Sequence, residues 1–125
     1  MKKVIYTDHA PKAIGPYSQA IEINGMLFIS GQVPIDPETG KIVEGGIKEQ
    51  TEQVMKNIGA ILKAAGYDFQ DVIKSTCLLS DMANFTDMNE VYGRYYTENP
   101  PARAAYGVVR LPLGAMVEIE TIAAK

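Results

Sequence analysis

Ser18-Gln19-Ala20-Ile21-Glu22-Ile23-Asn24-Gly25-Met26-Leu27-Phe28-Ile29-Ser30 decides the fold. Ser18 to Ile23 alternates, with Gln19, Ile21 and Ile23 set against Ser18, Ala20 and Glu22, which is the two-residue period of a strand. Asn24-Gly25 then supplies two residues that tolerate positive φ, as a tight hairpin demands. Met26 to Ser30 reads as the returning strand. Working back from this hairpin, Pro11, Gly15 and Pro16 mark a loop, and Val4-Ile5-Tyr6 reads as a short first strand. Working forward, Asp36-Pro37-Glu38-Thr39-Gly40 reads as a turn.

Ile47 to Ala65 has helical spacing. Ile47, Thr51, Val54, Met55, Ile58, Ile61, Leu62 and Ala65 form one stripe, while Lys48, Glu52, Lys56 and Lys63 lie on the other side. Gly45-Gly46 opens this helix and Gly66 stands where a left-handed cap ends it. Val72 to Leu79 reads as a strand. Asn84 with Asp87 predicts the N-terminal cap of a second helix running to about Tyr96, with Phe85, Met88, Tyr92 and Tyr95 inside. Ala104–Leu111 and Met116–Ala123 are expected to be the last two strands. The order β-β-β-α-β-α-β-β is an α+β domain with two helices on one face of a sheet. Yet Ile21 and Ile23, Phe28 and Met26, Cys77 and Leu79, and Met116 and Ile122 leave no simple solvent face, so the strands read as apolar on both faces. A sheet apolar on both sides needs cover on both sides, so self-association through the open face is expected.

Residues 1–125 are one domain by length. Hydrophobic residues are 46% and charged residues 22%, ordinary globular values that argue against disorder. The net charge of -3 argues against an electrostatic nucleic-acid binder. No apolar run approaches the roughly 20 residues of a membrane span. With no signal peptide, a cytoplasmic location is expected. The single Cys77 cannot form an intrachain disulfide and reads as a packed small hydrophobe.

The chemistry is concentrated near the C-terminus. Arg103 follows the rigid Pro100-Pro101 corner, and Glu118 and Glu120 share one face of the last strand. An Arg fork can hold a small carboxylate in one plane, and a nearby Glu can activate water. The plainer alternative for Arg103 and for both Glu residues is solvated surface. Asn89 points inward from the second helix, toward either a pocket or a helix–loop hydrogen bond. Tyr17 opens the hairpin strand as a pocket residue or as ordinary half-buried packing. His9 is the only histidine, so a Ser-His-Asp or Cys-His nucleophile would have to use it. No metal or cofactor is expected. Read as one site, these groups suit a small anionic substrate and an intrinsically easy reaction, such as hydrolysis of an activated C=N bond.

Four ordered blocks carry a resemblance. Ala13-Ile14-Gly15-Pro16-Tyr17-Ser18-Gln19-Ala20, Ser30-Gly31-Gln32-Val33-Pro34, Pro101-Ala102-Arg103 and Val117-Glu118-Ile119-Glu120-Thr121-Ile122-Ala123 resemble the signatures of the Rid family (YjgF/RidA, reactive intermediate deaminase). The arginine at 103 is the mark of its RidA subgroup. The resemblance implies a chorismate-mutase-like fold and a homotrimer with sites between subunits. It implies hydrolysis of 2-iminopropanoate and 2-iminobutanoate, released by pyridoxal-phosphate enzymes, to 2-keto acids and ammonia. Carried over, Arg103 would hold the substrate carboxylate and Glu118 would activate water. Tyr17 would arrive from the neighbouring subunit. Gly31 and Asn89 would flank the substrate. Ala105 would line the pocket where relatives often carry Cys, so no thiol can act there. A non-catalytic small-carboxylate binder is the first alternative. An RNA-cleaving translation inhibitor is weaker, given the acidic balance and lone histidine.

Overall fold

Asn24 and Gly25 take φ values of 52° and 76° in the computed structural model, which describes residues 1–125. Positive φ at both positions matches the right-handed twist of the strands they join. The elements, in chain order, are β1 (Lys3–Ile5), β2 (Ala20–Ile23), β3 (Met26–Gln32), β4 (Ile35–Asp36), β5 (Lys41–Ile42) and α1 (Ile47–Ala65). There follow β6 (Val72–Leu79), α2 (Phe85–Gly93), β7 (Ala102–Gly107) and β8 (Val117–Ala124). Six strands form one sheet in the order β1-β2-β3-β8-β6-β7. Only β6 and β7 run parallel, and α2 is the crossover such a pair requires.

One face of the sheet carries both helices. Val54, Met55, Ile58, Ile61 and Leu62 of α1 are buried against Leu27, Ile29, Cys77, Val117, Ile119 and Ala123. Each fully buried apolar side chain contributes about 1.5–3 kcal/mol. Burial pushes the Cys77 thiol up to about 11, which suits a packing role.

The helix over Ile47–Ala65 and the strand over Val72–Leu79 lie where the sequence predicts them. Four local features differ. The turn at Asp36–Gly40 is flanked by the small ribbon β4–β5, too short for alternation to reveal. Asn84 makes no side-chain cap; Asp81 caps a preceding tight turn instead, accepting from the Ala83 N–H at 2.9 Å. Helix α2 stops at Gly93 rather than near Tyr96. Beyond it Tyr95 and Tyr96 pack on Phe69, with ring centroids 5.1 and 5.6 Å away, and aromatic contact takes the place of another helical turn. Strand β7 spans Ala102–Gly107 instead of Ala104–Leu111. Its partner β6 ends at Leu79, whose carbonyl receives the Val108 N–H as the last rung.

The second face has no cover within the chain. Val4, Ile21, Phe28 and Ile122 are successive cross-strand neighbours on four adjacent strands. Val4 is 59% exposed, Phe28 42% and Tyr106 on β7 51%. No helix is long and apolar enough to cross a membrane.

Candidate functional site

Glu118, Gly31 and Tyr17 meet in an open cleft of about 660 Å³ at one end of the uncovered face. Strand β8 places Glu118 level with Leu78 of β6. Between Ile29 and Gln32 the β3–β8 register slips, a bulge of the kind that re-aims backbone beside a site. Gly31 lies in that slip. A methyl group there would overlap the Glu118 carboxylate, reaching within 2.9 Å of its Cδ, so the bare Cα makes the room in which the carboxylate rests. Tyr17 belongs to the loop before β2. Gln19 pins that loop: its Nε2 donates to the Thr7 and Pro11 carbonyls at 3.0 and 2.9 Å, and its Oε1 accepts from the Thr7 N–H at 2.8 Å. The Tyr17 hydroxyl accepts from the Ile14 N–H at 3.4 Å, and the ring is more than half exposed.

Glu118 is half-buried, and no hydrogen bond or ion pair engages its carboxylate within the chain. Desolvation, with the Glu120 charge as a second cause, holds it above the usual carboxylate range. Glu120 and Lys12 line the same cleft.

Arg103 lies elsewhere. It is level with Ser75, a buried residue of the helix-facing side. Its Nη1 donates to Asn89 Oδ1 at 2.7 Å. Its guanidinium carbon lies 5.1 Å from the Tyr92 ring centroid and 5.4 Å from that of Phe85. Ala105, two residues along the same strand, is partly buried on that face. None of the chain's ion pairs uses Arg103, so part of its fork is uncommitted.

The expected site is therefore divided. Arg103, Asn89 and Ala105 form one group, and Glu118, Gly31 and Tyr17 form the other. The expectation that the Arg103 guanidinium and the Glu118 and Glu120 carboxylates form a pair within one chain is not met. Two strand spacings and three residues of rise separate them, about 10 Å in each direction, and they point to opposite faces. Adjacent strands in sequence invite the pairing, but β6 runs between β7 and β8.

Sequence reasoning also missed four contributors. Phe85 and Tyr92 read as core because their spacing is that of a buried helix face; nothing in it reveals a cation between them. Lys12 and Gln19 reach the cleft through the path of a loop, which leaves no periodic signal.

A sheet backed by two helices on one face makes this an α+β domain, and its structural neighbours are Rid and YjgF proteins. The chain belongs to the endoribonuclease L-PSP family, to which Rid and YjgF proteins are assigned: the family model matches residues 7–125. A "RutC family protein" of Pyrococcus horikoshii is 60% identical, covering 100% of this chain and 99% of its own. The mouse 2-iminobutanoate/2-iminopropanoate deaminase is 54% identical, covering 98% of this chain and 91% of its own. Among solved structures, a Thermotoga maritima protein described as a candidate endoribonuclease superposes with a TM-score of 0.98 at 51% identity, covering 100% and 98% of the two chains. E. coli TdcF with bound serine superposes with a TM-score of 0.94 at 39% identity, covering 98% of each.

Proposed function

We propose that this protein hydrolyses small 2-imino acids, 2-iminopropanoate and 2-iminobutanoate, to 2-keto acids and ammonia, in sites assembled between copies of the chain. The observation that carries the reading is the division of an anion clamp and a free carboxylate between two faces of one sheet. Neither half is a deaminase alone. The uncovered apolar face supports association, and a closed homotrimer is the arrangement proposed. Tyr17 would close the pocket from the copy that supplies Glu118.

In the assembled site the Arg103 fork holds the substrate carboxylate through paired hydrogen bonds, and Asn89 fixes the fork. Glu118 orients a water and takes one of its protons as the oxygen adds to the C=N carbon. Glu118 passes that proton to the imine nitrogen, the adduct's hydroxyl gives up the second to the same nitrogen as it collapses to C=O, and ammonia leaves with the C–N bond broken. Gly31 lets the carboxylate approach the backbone, and Ala105 lines the wall without a reactive group. The deaminase names of close relatives support this reading, as does a small amino acid bound to TdcF. The RNA reading has the family's printed name behind it. The cleft, with two carboxylates, favours a small substrate over a polyanion.

The test is wild-type protein added to 2-iminopropanoate generated in situ by an amino-acid oxidase. Pyruvate and ammonia should form faster than by spontaneous hydrolysis. Because Glu118 must be ionised to act, and its carboxyl is held above the ordinary range, activity should fall with decreasing pH before an ordinary carboxylate would titrate. A rate equal to the spontaneous one would refute the proposal.

A further inference from the structure

The Arg103 clamp rests on an interior that its own hydrogen bond does not explain. Tyr92 is 6% exposed, with its ring under the guanidinium and its hydroxyl buried without a hydrogen-bond partner in the chain. The hydroxyls of Ser75, Tyr96 and Thr121 are buried and unpartnered in the same way. These groups converge. Ser75 faces Thr121 across β6 and β8 and faces Arg103 across β6 and β7. The Tyr92 and Tyr96 rings are 4.8 Å apart, and Ser75 lies within range of both hydroxyls. Buried polar groups are nearly always satisfied, and hydroxyls this close are placed to bond one another with small rotations. Such a cluster gives the Tyr92 hydroxyl several polar neighbours at close range. A side chain held by it would keep one orientation.

We propose that Tyr92 is a positioning residue: its ring sets the plane and reach of the Arg103 fork, and the hydroxyl cluster of Ser75, Tyr96 and Thr121 sets the ring. This rests on the reading of Arg103 as the carboxylate clamp. The ring attracts the guanidinium by cation–π interaction, while Asn89 holds it from the side. With Tyr92, Phe85 and Asn89 all on one planar group, the uncommitted N–H groups are aimed before any ligand arrives, and ordering costs on binding fall.

The experiment compares Tyr92→Leu, which removes the ring, with Tyr92→Phe, which keeps the ring and removes its anchor. The readouts are imine hydrolysis and the dissociation constant of 2-oxobutanoate. Clamping acts alike on ground state and transition state, so KM should rise while kcat holds. Tyr92→Leu should raise KM and the dissociation constant about tenfold, the upper range of an aromatic–cation contact. Tyr92→Phe should raise both about threefold, the loss expected for one hydrogen bond. Values within twofold of wild type for both variants would overturn the inference. So would a fall in kcat with KM unchanged. If Tyr92→Leu does not assemble, Tyr92→Phe decides alone: unchanged binding overturns the anchoring role. A wild type that binds 2-oxobutanoate without hydrolysing imines would sink the functional reading, while the binding shift would still judge Tyr92.

Discussion

Arg103→Ala is expected to lower kcat/KM for 2-iminopropanoate by about a hundredfold or more, since a paired, charge-assisted contact contributes about 3 kcal/mol. The guanidinium has no carboxylate partner in the chain, so its loss strands no buried acid. Its stem and head are exposed at the sheet edge. The variant should therefore fold and assemble as wild type does, and the lost rate should reflect the substrate carboxylate. Arg103→Lys keeps the charge and the attraction to Phe85 and Tyr92, but a point charge cannot reproduce the fork. It should recover only part of the rate. Initial rates on in-situ substrate, with circular dichroism and sedimentation as controls, decide the matter. Wild-type kcat/KM in Arg103→Ala would remove the clamp from the account.

Glu118→Gln should have an effect as large, on a different parameter. Removing a general base costs about a hundredfold to ten-thousandfold, and the loss should lie in kcat. Binding of 2-oxobutanoate should be unchanged or tighter, because the substitution removes a negative charge near an anion. Stability offers a control. A carboxyl held above its ordinary range binds protons more readily in the folded state, so its contribution falls as pH rises from the ordinary range through the raised value. At neutral pH Glu118 is thus a burden on the fold, and Glu118→Gln should melt no lower than wild type. A protein that binds small carboxylates without catalysis would show no rate above the spontaneous one even as wild type, and would keep its affinity in this variant. Steady-state kinetics with a product titration distinguish the two cases.

The sequence made the scaffold legible where local chemistry and burial agree. The stripe from Ile47 to Ala65 could be only one helix, and Asn24-Gly25 could be only a tight turn. Where the partner rather than the segment sets the boundary, reading failed. β7 ends because β6 ends, and α2 stops because Tyr95 and Tyr96 find Phe69. The same distinction governs the site. Residue types identified Arg103, Glu118, Tyr17, Gly31 and Asn89 as candidates for one site, and the structure distributes them between two groups. Spacing could not show that β6 intervenes between β7 and β8, nor that Arg103 turns toward the helices while Glu118 turns away. The apolar second face, readable from Ile21, Phe28 and Ile122, is what the proposal of a site shared between copies rests on.

That division makes complementation the most direct measurement. Arg103→Ala spoils one half-site and Glu118→Gln the other, so each homogeneous protein should be nearly inactive. In assemblies formed by coexpressing the two variants equally, each interface draws its halves independently, and about one in four unites an intact arginine with an intact glutamate. The mixed protein should recover about a quarter of wild-type kcat/KM, whatever the number of copies in a closed ring. Activity no greater than that of the separate variants, in assemblies shown to contain both chains, would contradict a site shared between copies.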